Sequence, residues 1–309
     1  MNNEELRKEI LRLKKEKNAL IMAHYYQRDE IQEIADFIGD SLALARQAAK
    51  TDANIIVMCG VHFMGETAKI LCPEKKVLVP DMKAGCSLAD SCDAKDLKKF
   101  IDEHPGYTVI SYVNTSAAVK AITDIVVTSG NARKIIESLK DDEKIIFGPD
   151  KNLGGYINSV SGREMLLWQG ACHVHDRFSL DKIVEMKKEH PEAKILVHPE
   201  CRKPLQLIAD KVGSTAALLE FASTDSAPEY IVVTESGILF EMRRKCPSKR
   251  FLPAPAEDSE CQCNECDYMK MNTLEKVYLA LRDEKPEIIV DKEIAEKAIK
   301  PIERMLELS

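Results

Sequence analysis

Short apolar runs recur along this chain between longer stretches in which apolar and charged positions alternate every three or four residues. ALIM, YTVI and KIL open three segments; NIIVMCG, KIIFG and YIVVT follow within them, and KVLVP, EMLLW and RFLP close them. Continuous, β-branched-rich runs of this length predict parallel strands covered on both faces. The amphipathic stretches between them predict the crossover helices that parallel pairing requires. The opening MNNEELRKEILRLKKEKN predicts one further charged, amphipathic helix.

The segments are copies of one another. AHYYQRDEIQEIADFIGDSLALA, SYVNTSAAVKAITDIVVTSGNAR and VHPECRKPLQLIADKVGSTAALL align on Asp36, Asp124 and Asp210. His24, Tyr112 and His198 then coincide, as do Ser41, Ser129 and Thr215, with Ser214 beside Thr215. Gly60, Gly148 and Thr234 coincide at the ends of the middle apolar runs. A repeat of this period is a structural unit. Each copy reads strand, helix, turn, helix, strand, helix, strand. The expected fold is α/β: three αβα units with short parallel sheets, related by pseudo-threefold symmetry around a central cleft. The expected divisions are 1–85 with 267–309, 86–171 and 172–266. Ligands in such sheets bind beyond the carboxyl ends of the strands. His24, Tyr112 with Asn114, and His198 with Glu200 fall there.

Composition narrows the chemistry. The chain has 309 residues, 45% apolar and 31% charged, with a net charge of −7. That charge speaks against a nucleic-acid footprint. No apolar run is long enough to span a membrane, and the N-terminus has no secretory h-region. The expectation is a cytoplasmic protein acting on small molecules.

There are ten cysteines, and in a reducing compartment they serve as buried residues or metal ligands rather than a disulfide framework. Cys86 and Cys172 follow their anchoring aspartates at similar distances. In the third unit Cys261, Cys263 and Cys266 form C-x-C-x-x-C in that region. The cluster alone fits a half zinc site, a reversible disulfide or an iron–sulfur site. One cysteine per repeat, converging on a pseudo-threefold axis, suits a [4Fe–4S] cluster with one iron free of protein ligands better than a tetrahedral zinc. Spacing from Asp210 favours Cys261. Cys59, Cys72, Cys201 and Cys246 fall outside the pattern and read as small core residues.

AHYYQRDEIQEIADFIGDSLALAR, GVHFMGE, YVNTSA, VVTSGNA, FGPDKNLGGY, CHVH, VHPEC, VGST and MKMNTLE, in this order, resemble the quinolinate synthase family. The resemblance covers nearly the whole chain. It implies an enzyme of de novo NAD biosynthesis. Such an enzyme condenses iminoaspartate with dihydroxyacetone phosphate, with loss of phosphate and two waters. It implies a [4Fe–4S] cluster on three cysteines whose open iron meets substrate, and an L-aspartate-oxidising enzyme as functional partner. It moves the third ligand to Cys266, directly before DYMKMNTLE, so the ligands become Cys86, Cys172 and Cys266. Cys263 and Cys266 have the spacing of a redox pair that would remove the ligand thiolate.

By the same resemblance Ser41, Ser129, Ser214 and Thr215 contact substrate. Their helix starts suit anions, although plain N-capping uses the same residues. His24 and His198 are donors or general acids. Tyr112 and Asn114 bind carboxylate, and His175 contacts substrate. Tyr26 and Glu200 form the acid–base pair. His62, His104 and His190 read as surface or structural, and His173 has no assigned role. Tyr25 stands where relatives have asparagine and His62 where they have aspartate, which leaves the pocket's shape open. Competing expectations are another open-iron hydro-lyase, a zinc-binding or redox-sensing module, and a binding protein with structural cysteines.

Overall fold

A computed structural model describes residues 1–257 and 264–309. Cys261 and Cys263, and with them the proposed Cys263–Cys266 switch, lie outside the described residues.

Among the described residues, twelve strands form three four-stranded, all-parallel sheets. The first contains β1 (Ala19–His24), β2 (Phe37–Gly39), β3 (Ile55–Cys59) and β4 (Lys76–Leu78). The second contains β5 (Thr108–Tyr112), β6 (Ile125–Val127), β7 (Ile145–Gly148) and β8 (Leu166–Leu167). The third contains β9 (Lys194–Val197), β10 (Lys211–Val212), β11 (Glu229–Val233) and β12 (Arg250–Pro253). All three share one order, with the first strand of the unit between the second and third: β2-β1-β3-β4, β6-β5-β7-β8 and β10-β9-β11-β12. The three αβα units are therefore present. The segment read from sequence as a turn is in each unit a two- or three-residue edge strand, too short for its own apolar signal.

The repeated aspartate has one job three times. Asp36 Oδ2 accepts the Ile21 N–H at 2.9 Å, Asp124 Oδ2 that of Val109 at 2.7 Å, and Asp210 Oδ2 that of Ile195 at 2.8 Å. Each aspartate N–H returns a bond to the carbonyl of the same strand residue. The reciprocal pair fixes where the edge strand begins against its neighbour, and so fixes what stands at the strand ends. Behind this frame, Ile21, Met22, Ile56, Val57, Ile110, Phe147, Leu196 and Ile231 are fully buried or nearly so. Truncating one of these isoleucines to alanine would cost about 2–5 kcal/mol.

The N-terminal helix Asn3–Glu16 starts with an Asn2/Glu5 capping box and buries Leu6, Ile10 and Leu13. It packs against the helix Leu274–Asp283, which also meets β3. The last helix, Lys292–Leu308, lies instead against β6, the helix Ala117–Lys120 and the helix His62–Leu71. The tail thus straddles the first and second units. Among the described residues no helix is long and apolar enough to cross a membrane.

Candidate active site

The strand ends of the three sheets face one cavity with about 710 Å³ of space, open solvent at its mouth included. His24 ends β1 and Tyr112 ends β5, while His198 follows β9 directly. All three line the cavity, with Tyr26, Asn114, Glu200, Ser41, Ser129, Thr215 and His175. Ser214 does not. Its hydroxyl oxygen accepts the Ala217 N–H at 3.3 Å and caps the helix Thr215–Thr224. Asp40, not Ser41, caps the helix Ser41–Lys50. Ser129 lies two residues before Asn131, where the helix Ala132–Glu137 starts.

Two tautomers follow from the backbone. His24 Nδ1 accepts the Tyr26 N–H at 3.2 Å, and His198 Nδ1 accepts the Glu200 N–H at 3.3 Å. Each ring therefore carries its proton on Nε2. Burial pushes both pKa values down to about 3. Near neutral pH they are uncharged rings with an Nε2–H to offer.

Glu200 is buried with its oxygens engaged. Tyr112 donates its hydroxyl to Oε1 at 2.5 Å, and His175 Nδ1 lies 3.2 Å from Oε2. Burial opposes the charge, but His175, His198 and the Tyr112 hydroxyl outweigh it, and the pKa falls to about 2. The Tyr26 and Tyr112 hydroxyls are pushed well above the usual phenol range, burial first. Tyr26 Oη lies 2.8 Å from both Thr215 Oγ1 and Thr234 Oγ1, and Thr234 Oγ1 lies 2.9 Å from His175 Nε2. One proton assignment satisfies every member. Thr215 donates to Tyr26, Tyr26 to Thr234, Thr234 to His175 Nε2, and His175 Nδ1–H to Glu200.

Cys86, Cys172 and Cys266 line the same cavity, each following the fourth strand of one sheet. All are free thiols. Each precedes one short helical turn: Ser87–Asp90, His175–Arg177 and Met269–Met271. Burial drives the Cys86 thiol up to about 12, Cys266 to about 11, and Cys172 well above its usual value. Cys86 is also raised by Cys266, and Cys172 by Cys86. Against this, the N–H groups three residues on (Ala89, His175 and Met269) each favour the thiolate of their own cysteine. Three buried thiols, two of them raised by a neighbouring thiol and each favoured as thiolate by the N–H three residues on, are a donor set that a cationic iron–sulfur core would satisfy and water does not.

A smaller group, Cys172, His175 and Glu200, has its ligand atoms within 4.8 Å of one another. His175 Nδ1 already faces both the Cys172 sulfur, at 3.3 Å, and Glu200, and its Nε2 is taken by Thr234. That leaves the ring no free lone pair for a single ion.

Sequence reasoning missed several residues of the site. Thr234, which lies behind the lining Tyr26 and His175, was visible as the one polar member of its repeat position. Glu235 and His173 were not: His173 Nδ1 lies 2.5 Å from Ser87 Oγ at the cavity wall. The unusual Tyr25 and His62 are absent from the lining, and His62 instead faces Glu66 at 3.6 Å. Cys59, Cys72, Cys201 and Cys246 are buried core residues.

Comparison with known proteins finds relatives over nearly the whole chain. A family model described as "Quinolinate synthetase A protein" matches residues 8–307. Quinolinate synthase of Chloroherpeton thalassium is 53% identical over 305 residues, covering 99% of this chain and 95% of the relative. The Microcystis aeruginosa enzyme of the same name is 54% identical over 300 residues, covering 97% and 94%. That of Synechocystis sp. is 53% identical over 300 residues, with the same coverage.

Proposed function

The chain belongs to the quinolinate synthase family and is an enzyme; on that premise we propose that it serves de novo NAD biosynthesis by condensing iminoaspartate with dihydroxyacetone phosphate. Phosphate and two waters leave, and the ring closes to quinolinate. Cys86, Cys172 and Cys266 would hold a [4Fe–4S] cluster. When bound, that cluster supplies a Lewis-acidic iron that polarises substrate oxygens. The observation that carries the reading is the meeting of three thiols, each beyond the fourth strand of its own sheet, in a cavity that also presents neutral donors and the ionised Glu200 carboxylate.

The chain's own groups divide the work. His24 and His198 offer Nε2–H to carboxylate or phosphate oxygens without charge of their own. Ser41, Ser129, Asn114 and Thr215 add donors from all three units, and Tyr112 steadies both substrate and Glu200. Glu200, ionised and held between Tyr112 and His175, takes protons during isomerisation and dehydration. Tyr26 keeps its proton under these conditions and gives it to a departing oxygen. Behind it, Thr215 donates to the tyrosinate oxygen and Thr234 turns its hydroxyl to do the same, which steadies the charge until water returns the proton on product release. Iminoaspartate has to come from oxidation of L-aspartate, so an L-aspartate-oxidising enzyme is the functional partner.

The test is an oxygen-free assay of reconstituted protein with both precursors. Quinolinate formation, with iron and sulfide bound, is the expected result. Zinc bound instead, with no quinolinate, would overturn the reading.

A further inference from the structure

In the second and third units the cysteine's main chain is tied to its own sheet by a buried carboxylate two residues beyond the third strand. β7 ends at Gly148 and β11 at Val233; Asp150 and Glu235 follow, both fully buried. Asp150 Oδ2 accepts the Cys172 N–H at 2.9 Å. Its other oxygen, Oδ1, accepts the N–H groups of Asn152 and Leu153 at 2.7 and 2.9 Å, starting the helix Lys151–Ser161. Glu235 repeats the division of labour. Oε1 accepts the Cys266 N–H at 3.1 Å, and Oε2 accepts the Gly237 N–H at 2.7 Å where the helix Ile238–Lys245 starts. Lys270 Nζ adds 3.0 Å to Glu235 Oε1 and donates to the Tyr26 carbonyl at 2.9 Å, so this anchor also touches the polar wall.

The first unit is built otherwise. Two residues after Cys59, the last residue of β3, stands the apolar Val61. Here the link is main chain to main chain: the His62 N–H donates to the Ala84 carbonyl at 2.7 Å, two residues before Cys86.

We propose that Asp150 and Glu235 are positioning residues that hold the Cys172 and Cys266 sulfurs at the separation a shared metal centre requires. One carboxylate oxygen grips the helix start and the other grips the cysteine amide. The ligand thus inherits the register of the sheet despite lying on a loop. Groups bonded to metal ligands act on metal retention in this way, by about 10–100-fold. The inference rests on the cluster reading for its purpose, but the anchoring itself does not.

Asp150→Asn and Glu235→Gln test it, with the exposed Asp181→Asn as control. An amide side chain has one acceptor. If it keeps the helix start, its NH2 confronts the cysteine N–H. The first readout is residue-resolved hydrogen exchange. Protection at the Cys172 amide is expected to fall in Asp150→Asn while Cys266 stays protected, and the reverse in Glu235→Gln. Asp150→Ser, which keeps the helix cap but loses the second oxygen, should repeat the Cys172 result if the asparagine variant folds poorly. The second readout is anaerobic transfer of iron from reconstituted protein to a chelator, expected about 10-fold faster in both variants and unchanged in the control. Unchanged protection at the paired cysteine, or equal loss at both, would overturn the anchoring. Exchange as expected with unchanged iron release would overturn its role in retention. If wild-type protein takes up no iron–sulfur centre, the function fails while the exchange pattern still judges the anchors.

Discussion

The cavity has two unlike walls. The polar wall, with His24, Tyr26, Tyr112, His198 and Glu200, stands at or just past the ends of the central strands, where the reciprocal aspartate bonds fix register. The thiol wall stands on loops after the fourth strands, and each sulfur has to be brought in by a turn and, in two units, by a carboxylate anchor. The electrostatics differ as well. The polar wall is settled: its histidines are neutral, its tyrosines protonated and its glutamate ionised. The thiol wall is unsettled, because burial pushes all three thiols up and a neighbouring thiol adds to it at Cys86 and Cys172. One wall offers fixed donors and an ionised acceptor; the other is a donor set that, on the proposed function, a cationic cluster would complete.

The sharpest way to separate the walls is to remove one thiol. Cys86→Ala, Cys172→Ala or Cys266→Ala is expected to abolish both the iron–sulfur absorption and quinolinate formation, measured anaerobically. Next in size is loss of a group on the polar wall. Tyr26→Phe and Glu200→Gln are each expected to lower kcat by about 10²–10⁴-fold, as for a general acid or base, while the absorption of the thiol wall persists. If either variant loses the absorption as well, the two walls are not independent.

The polar wall contributes a pH effect of intermediate size. The unfolded chain protonates His24 and His198 near 6.5, whereas the folded rings resist until about 3. The unfolded state therefore binds more protons in that window, and stability falls as pH drops through it. Glu200, about 2 when folded against 4.5 when free, loses stability in the same direction from 4.5 downward. Thermal unfolding followed from pH 7 to 4 should show a falling Tm, with a flatter slope in His198→Asn. An equal slope in that variant would place the titration elsewhere.

The smallest effect concerns Ser214. As a helix cap off the cavity, Ser214→Ala should cost about 1 kcal/mol of stability and leave KM unchanged, by denaturant melts and steady-state kinetics. A large KM change would return it to the substrate contacts.

The difference between the walls also explains what the sequence revealed. Strand ends tolerate no insertions, so His24, Tyr112 and His198 kept constant spacing from Asp36, Asp124 and Asp210, and the αβα repeat was legible from that spacing. Loops absorb insertions, so spacing from Asp210 pointed to Cys261, and only the resemblance of DYMKMNTLE singled out Cys266. The edge strands β2, β6 and β10 were illegible because two or three residues carry no periodicity. Asp150 and Glu235 were illegible because a buried carboxylate looks like any other in a chain that is 31% charged. Thr234 sat in plain view at a repeat position, but its meaning depends on Tyr26 and His175, which are distant in sequence and adjacent only in the fold.

The account turns on three thiols from three units gripping one metal centre. Protein reconstituted without oxygen should contain about four irons and four sulfides per chain, and its reduced-state EPR signal should change on adding substrate. A single zinc per chain, or an iron–sulfur signal that survives Cys86→Ala, Cys172→Ala and Cys266→Ala, would contradict it.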